Sequence, residues 1–427
     1  MTVNATGNAA RPPRFIELRE LTADGRLLFI TRMVRLFAYG FLSVVLVLYL
    51  SALGLTDQQI GLLLTLTLLG DAVISLWITT QADRIGRKRM LLAGSALMIL
   101  AGVLFAVTRF YPLLVLAATI GVISPSGNEV GPFLALEQAA LSHTVPDRRR
   151  TGVFAWYNLV GSVSTALGAL AGGGLAQLLQ SAGWAPAASY KVIVLGYALL
   201  GGVLVLLFLR LSAAIEAELR QAAPGLVSRY LGLDQSRSIV LKLSALFSLD
   251  AFAGGFVVQS IVAYWFYRRY GVEPALLGAI FFGANVLAGL SALSAVWVAQ
   301  RVGLLRTMVV THLPSNILLI LVPLMPNLPL AITMLLLRFS ISQMDVPTRQ
   351  SYTMAVVPPN ERASAAGVTG IARTLGAAVA PALAVALMAN PALMAAPFLI
   401  SGGLKIVYDL LIYGTFRHVT PPEEAKQ

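Results

Sequence analysis

The chain has 427 residues, of which 57% are hydrophobic and only 12% charged, with a formal net charge of +12. Soluble domains carry roughly 25% charged residues, so this composition excludes an ordinary water-soluble globule. The absence of cysteine excludes a disulfide framework, a thiol nucleophile and thiolate metal ligands.

The apolar residues gather in runs near the ~20 residues that a helix needs to cross a bilayer. In chain order the pattern predicts spans at 27–53, 58–80, 90–108, 112–142, 152–179 and 188–210, then at 239–267, 273–298, 304–325, 329–352, 364–388 and 395–416. All are expected to be helices, because a backbone in lipid must satisfy its own hydrogen bonds. The expected fold is an all-α membrane protein with twelve transmembrane helices in two pseudo-symmetric six-helix bundles. A segment at 1–26 precedes the first bundle (27–210). A polar linker at 211–238, partly an amphipathic helix, joins it to the second bundle (239–416), and a tail follows at 417–427. Met1–Arg26 is polar and shows no cleavage pattern, so it is not read as a signal peptide.

Basic residues test this layout. Twenty-one lysines and arginines fall on one side of the spans, while Arg109, Lys191, Arg268 and Arg269 fall on the other. That asymmetry predicts cytoplasmic termini in a cell inner (plasma) membrane. It also explains the net charge without nucleic acid, which is not expected as a partner.

The halves repeat. Gly54-Leu55-Thr56-Asp57 recurs as Gly271-Val272-Glu273-Pro274, Arg84-Ile85-Gly86 as Arg301-Val302-Gly303, and Val145-Pro146 with Arg150 as Val357-Pro358 with Arg362. Paired halves with a solute site between them, near the midplane, are the architecture of secondary transporters.

The most specific stretch is Asp83-Arg84-Ile85-Gly86-Arg87-Lys88 between spans two and three. With it the sequence resembles the major facilitator superfamily, whose loop motif reads G-x-x-x-D-R-x-G-R-R/K. Thr79 stands where the family has its first glycine, and Gln300 replaces the acid in the second copy. The resemblance implies that Asp83, Arg84, Gly86, Arg87 and Lys88 latch the halves in the outward-facing state. An antiporter motif of the family ends G-P-x-x-G-G. Here span five has Gly168-Ala169-Leu170-Ala171-Gly172-Gly173, with Gly161 upstream and no proline, and close helix packing explains such glycines equally well. The family's arginine early in span four is missing between Pro112 and Gly127.

Ionisable groups inside spans turn toward cavities or one another. The spans hold the acids Asp71, Glu129, Glu137, Asp250, Asp345 and Asp409 and the bases Arg32, Arg35, Arg338, Arg349, Arg373 and Lys405. Lys405 and Asp409, four apart on one helix, are expected to pair, and Asp345 and Arg349 can do the same. Arg32 is expected to snorkel to the interface, and Arg35 to reach a cavity. Pro125 and Pro132 predict a broken fourth span, which makes Asn128 and Glu129 the leading binding candidates. Asp71 lies midway along span two. Glu137 could form a gate pair with Arg148–Arg150. In the family's layout Asp250 and Arg373 face the opposite half. Trp156-Tyr157-Asn158 suits either an interfacial belt or a gate. The binding candidates are therefore Asp71, Asn128, Glu129, Glu137, Asp250, Asp345, Arg35, Arg338 and Arg373.

His143, His312 and His418 have no neighbour at ligand spacing, so neither metal nor cofactor is expected. Nothing suggests an enzyme. The expected function is secondary active transport of a small solute by alternating access, as proton-coupled export of a drug-like or toxic compound. The expected protein is a monomer in the lipid bilayer, with protons as coupling ion. The alternative is a transporter of a small anion or carboxylate, supported by Arg35, Arg338 and Arg373. A non-transporting membrane receptor has the least support.

Overall fold

The computed structural model describes residues 21–128, 133–144, 147–216, 235–358 and 361–419. Glu129, most of the linker with its expected amphipathic helix, and the side chains of Thr79, Asp83 and Arg148–Arg150 lie outside the described residues.

The first half contains α1 (Ala23–Ser43), α2 (Leu46–Ala52), α3 (Asp57–Ile85), α4 (Arg87–Val107), α5 (Tyr111–Ile120), α6 (Phe133–Thr144), α7 (Asp147–Ser181) and α8 (Pro186–Leu209). The second half contains α9 (Arg237–Gly255), α10 (Gln259–Tyr270), α11 (Pro274–Val302), α12 (Leu304–Leu321), α13 (Leu328–Ile341), α14 (Asp345–Ala355), α15 (Arg362–Met388) and α16 (Ala396–Phe416). Nine helical stretches among the described residues are long and apolar enough to cross a membrane, or ten if α1 and α2, bent by 42°, form one span. The remaining expected spans, 112–142 and 329–352, correspond to the broken pairs α5–α6 and α13–α14. The count of twelve rests on reading each pair as one crossing.

Local signals set the helix ends. Thr56 and Gln59 form a capping box at the start of α3. Pro186 and Pro274 open α8 and α11, where a missing N–H costs nothing. The tight turns α3–α4 and α11–α12 are made by Gly86 (φ +107) and Gly303 (φ +88), backbone shapes that side chains disfavour. These are the paired glycines of the sequence repeat.

The repeat extends to packing. In the first half α1 lies along α7, α3 along α5, and α4 along α8; in the second half α9 lies along α15, α11 along α13, and α12 along α16. The halves meet where α7 crosses α11 and α3 crosses α15. Missing side chains allow the close approaches. A Cβ on Gly168 would lie 2.0 Å from the Phe37 carbonyl oxygen, and one on Gly173 would lie 2.2 Å from that of Pro274.

Breaks also occur in corresponding places: between α1 and α2, α5 and α6, α9 and α10, and α13 and α14. The Pro125 break is present as expected, with helix absent from Gly121 to Asn128. Within it Val122 is held at φ +49, an unusual conformation for a β-branched residue. Its carbonyl accepts the Tyr197 hydroxyl at 2.8 Å.

Three of the broken segments meet across the halves. Gln259 Nε2 donates to Ser43 Oγ at 2.8 Å, and the Ser260 N–H donates to the Pro125 carbonyl at 3.0 Å. Nearer the face opposite the termini, the Tyr264 hydroxyl donates to Asp57 at 2.8 Å and Arg268 reaches the same carboxylate at 3.3 Å.

Candidate functional site

In the first half, Arg35 on α1 and Glu137 on α6 form a fully buried bidentate pair, with both N–O distances 2.8 Å. The Thr31 hydroxyl donates to Glu137 at 3.0 Å, and the Tyr157 hydroxyl of α7 also donates to it. Phe133 lies under the Arg35 guanidinium. In hydrocarbon such a pair persists only with its remaining hydrogen-bonding positions filled, and here Thr31 and Tyr157 fill those of the acid. The side chains of Arg148–Arg150, the gate partners expected of Glu137, lie outside the described residues. Arg35, expected in a cavity, is enclosed.

Arg32 does not snorkel. Its Nε donates to the Tyr157 carbonyl at 2.8 Å, its Nη2 lies 3.3 Å from Asn158 Oδ1, and it rests on the Tyr157 ring over Gly161. The missing Cβ of Gly161 makes room for that guanidinium. Tyr157 is thus a core residue rather than part of an interfacial belt.

The second half holds a larger network around Asp250 of α9. Lys405 Nζ from α16 lies 2.5 Å from its Oδ1. Arg349 Nη1 from α14 lies 3.2 Å from its Oδ2, and Arg373 Nη1 from α15 lies 3.5 Å from the same atom. Arg349 also pairs with Asp345 at 2.8 Å, one helical turn away as expected. The expected Lys405–Asp409 pair is replaced, because Lys405 points across to α9. Asp250 and Arg373, both expected to face the other half, are in contact with each other.

Asp409 is bound to α12. His312 Nδ1 lies 2.8 Å from its Oδ1, and Asn316 Nδ2 donates to its Oδ2 at 2.9 Å. Asn316 Nδ2 also lies 3.2 Å from Nδ1, so the roles of the ring nitrogens depend on the tautomer; the second ring nitrogen is Nε2. That atom faces Asp250, 3.8 Å from Oδ1. His312 therefore bridges two carboxylates inside a span.

Sequence reasoning missed His312 and Asn316 as site residues. The available signal was their i, i+4 spacing within an otherwise apolar span.

Arg373 marks the network's accessible edge: its side chain is 34% exposed, against 5% for Asp250. Asp71 is half-buried, with Ser75 Oγ 3.5 Å away. Asn128 is exposed, and its backbone carbonyl accepts from Ser124 Oγ.

The loop after α3 is fastened within its own half. Glu216 accepts from the Arg87 and Lys88 backbone N–H groups at 2.6 and 3.2 Å, placing an anion at the N-terminus of α4. Lys88 Nζ donates to the Leu209 and Leu211 carbonyls at the end of α8. Arg84 is exposed.

Two repeated helical bundles, each with broken helices and a buried group of charges, define a membrane transporter fold. The Major Facilitator Superfamily profile matches residues 28–381, and the chain belongs to that family. An uncharacterized membrane protein of Saccharomyces cerevisiae is 32% identical over 94% of this chain and 96% of its own length. The quinolone resistance protein NorA of Staphylococcus aureus is 27% identical over 139 residues, 33% of this chain and 34% of that one. Among solved structures, a point mutant of the nucleoside transporter NupG superposes with a TM-score of 0.73 at 15% identity. That match covers 92% of this chain and 100% of the other, and shows the fold alone.

Proposed function

We propose that this protein is a proton-coupled secondary transporter that exports a small drug-like solute by alternating access, with its termini cytoplasmic. The observation that carries the coupling is His312, poised between Asp409 and Asp250 inside the second half. A proton arriving at Nε2 creates an imidazolium beside Asp250, which then competes with Lys405, Arg349 and Arg373 for that carboxylate. Asp250 thus links a proton site to Arg373, the partly exposed member of the network. Among the candidate acids, Asp250 and Glu137 have their charge occupied by cations, so the proton-carrying role is given to the His312–Asp409 pair.

The contacts among Ser43, Gln259, Pro125, Ser260, Asp57, Tyr264 and Arg268 lie on the side away from the termini. Under the basic-residue orientation, that makes this conformation inward-facing. Export is supported by the likeness to NorA over a third of the chain.

Proton flux in liposomes holding only the purified protein tests this reading, with a pH gradient imposed and cationic, anionic and neutral solutes added singly. Solute-triggered proton movement is expected in the native protein and is expected to vanish in His312→Gln and Asp409→Asn. Unchanged solute-coupled proton flux in both variants would overturn the assignment.

A further inference from the structure

A polar cluster of a different kind lies where the halves meet, and it contains no charge. Gln259 opens α10, and its Nε2 lies 2.8 Å from Oγ of Ser43, the last residue of α1. Its Oε1 lies 3.1 Å from Nδ2 of Asn285 on α11. Gly127, at φ +69 in the break between α5 and α6, packs against the same group. A Cβ there would lie 3.0 Å from Ser43 Oγ and 3.1 Å from Gln259 Nε2. Elements of both halves thus converge on one glutamine at the broken part of three spans. Among the described residues no ionisable side chain bonds to Ser43, Gln259 or Asn285.

The direction of these hydrogen bonds is fixed. The Ser43 hydroxyl donates to the Gly40 carbonyl at 3.1 Å, so it accepts from Gln259, which turns the amide nitrogen toward Ser43. Gln259 Oε1 then faces Asn285, whose Nδ2 donates to it and, at 2.8 Å, to the Phe281 carbonyl. What remains follows from that chain. One N–H of Gln259 and Oδ1 of Asn285 have no hydrogen-bond partner among the described residues, which leaves a donor and an acceptor on two touching side chains. Both residues are partly exposed. Asn128, next to Gly127, is exposed. Its backbone carbonyl and N–H are engaged with Ser124 and Ser126, and its side-chain amide makes no hydrogen bond among the described residues. Unused amides at membrane depth are tolerated where they border a cavity rather than lipid.

We propose that Gln259 and Asn285, with Asn128 beside them, recognise an uncharged hydroxyl or amide group of the solute. Such a group both accepts and donates, and so completes the Gln259 N–H and the Asn285 Oδ1 together. A carboxylate only accepts and an ammonium only donates, so either leaves one of the two unpaired. Either also brings a charge into the membrane interior, where this cluster holds no counter-ion. This inference rests on the reading of the protein as a transporter, but on neither the proton relay nor the direction of transport.

The test uses the purified full-length protein in detergent with no gradient, so it stands or falls separately from proton coupling. Thermal unfolding is followed with benzamides of nearly equal size whose amide nitrogen carries a 2-hydroxyethyl, an ethyl, a carboxymethyl or a 2-aminoethyl group. The hydroxyethyl compound is expected to raise the midpoint most. Asn285→Leu and Asn128→Leu are each expected to weaken its binding about 10-fold. Asn128 is exposed and its side chain bonds to nothing described, so this variant is expected to fold as the native protein does. Arg306→Gln, at an exposed position in the first turn of α12, is expected to change nothing. The proposal is overturned if no compound raises the midpoint, if the ethyl or either charged compound does as well as the hydroxyethyl one, or if both leucine variants bind that compound as the native protein does.

Discussion

Glu137 and Arg349 occupy the same place in the two halves with opposite charge. They are 212 residues apart, the offset that relates Val145-Pro146 to Val357-Pro358, and each is the fifth residue of its short helix, α6 or α14. Each pairs with an opposite charge on the first helix of its own half, Arg35 for one and Asp250 for the other. The repeat keeps a buried ion pair at this depth while exchanging the signs.

Glu137→Gln would leave the Arg35 charge enclosed without its counter-ion. Removing one member of a buried pair costs about 3–5 kcal/mol, so a large drop in thermal midpoint and in yield of folded protein is expected. The exchanged variant Arg35→Glu with Glu137→Arg is expected to recover part of the loss. Equal stability of Glu137→Gln and native protein in detergent would show that the pair contributes little.

Asp250→Asn removes the carboxylate shared by Lys405, Arg349 and Arg373. Transport is expected to fall to background, with stability lowered by cation repulsion. Adding Lys405→Met removes one of the stranded charges and is expected to restore folding but not transport. Thermal unfolding and solute flux, measured on the same preparations, separate the two effects.

The span-five glycines can be tested by volume. Gly173→Val places side-chain atoms against the Pro274 backbone where a Cβ alone would lie at 2.2 Å, whereas nothing lies within 4 Å of a Cβ at Gly174. Gly173→Val is expected to abolish transport by preventing approach of the halves, and Gly174→Ala to leave it near native. Loss of activity in Gly174→Ala as well would argue for a role beyond packing.

Val122→Gly removes the side chain from a residue at φ +49. Relief of such strain is worth ~1 kcal/mol, partly offset by the added freedom of the unfolded chain, so a small rise in midpoint is expected. A marked fall would mean that the Val122 side chain contributes more through packing than it costs through strain.

Because the native chain contains no cysteine, Ser43→Cys with Gln259→Cys introduces a unique thiol pair. These side chains touch at 2.8 Å across the halves. A short bis-methanethiosulfonate reagent is expected to bridge them and stop transport, with activity returning on reduction. Full activity of the bridged protein would show that this contact persists throughout the cycle.

The helical framework was legible because it depends on composition and on short-range signals. Apolar runs marked the spans, Gly86 and Gly303 marked equivalent turns, and Pro125 marked a break. Much of the charge pairing was not legible. Sequence spacing reports neighbours one turn apart on a helix, so it found Asp345–Arg349. It also suggested Lys405–Asp409, whereas Lys405 crosses to α9. Contacts between helices depend on rotation about each helix axis, which uniformly apolar spans barely encode. His312 was passed over for the same reason: its partners Asp409 and Asp250 lie on other helices, 97 and 62 positions away in the chain.

The bonds that join the halves on the side away from the termini differ in kind from the buried pairs. Arg268 is 32% exposed where it meets Asp57, and Ser43–Gln259 links two uncharged groups. Exposed ion pairs and neutral hydrogen bonds each contribute only about 0.5–1.5 kcal/mol net, because water can replace them. A closure made of such bonds can be released one bond at a time, whereas separating Arg35 from Glu137 would strand both charges in a dry interior. The energetic contrast divides the molecule into two halves that would stay intact and a seam between them that would yield first.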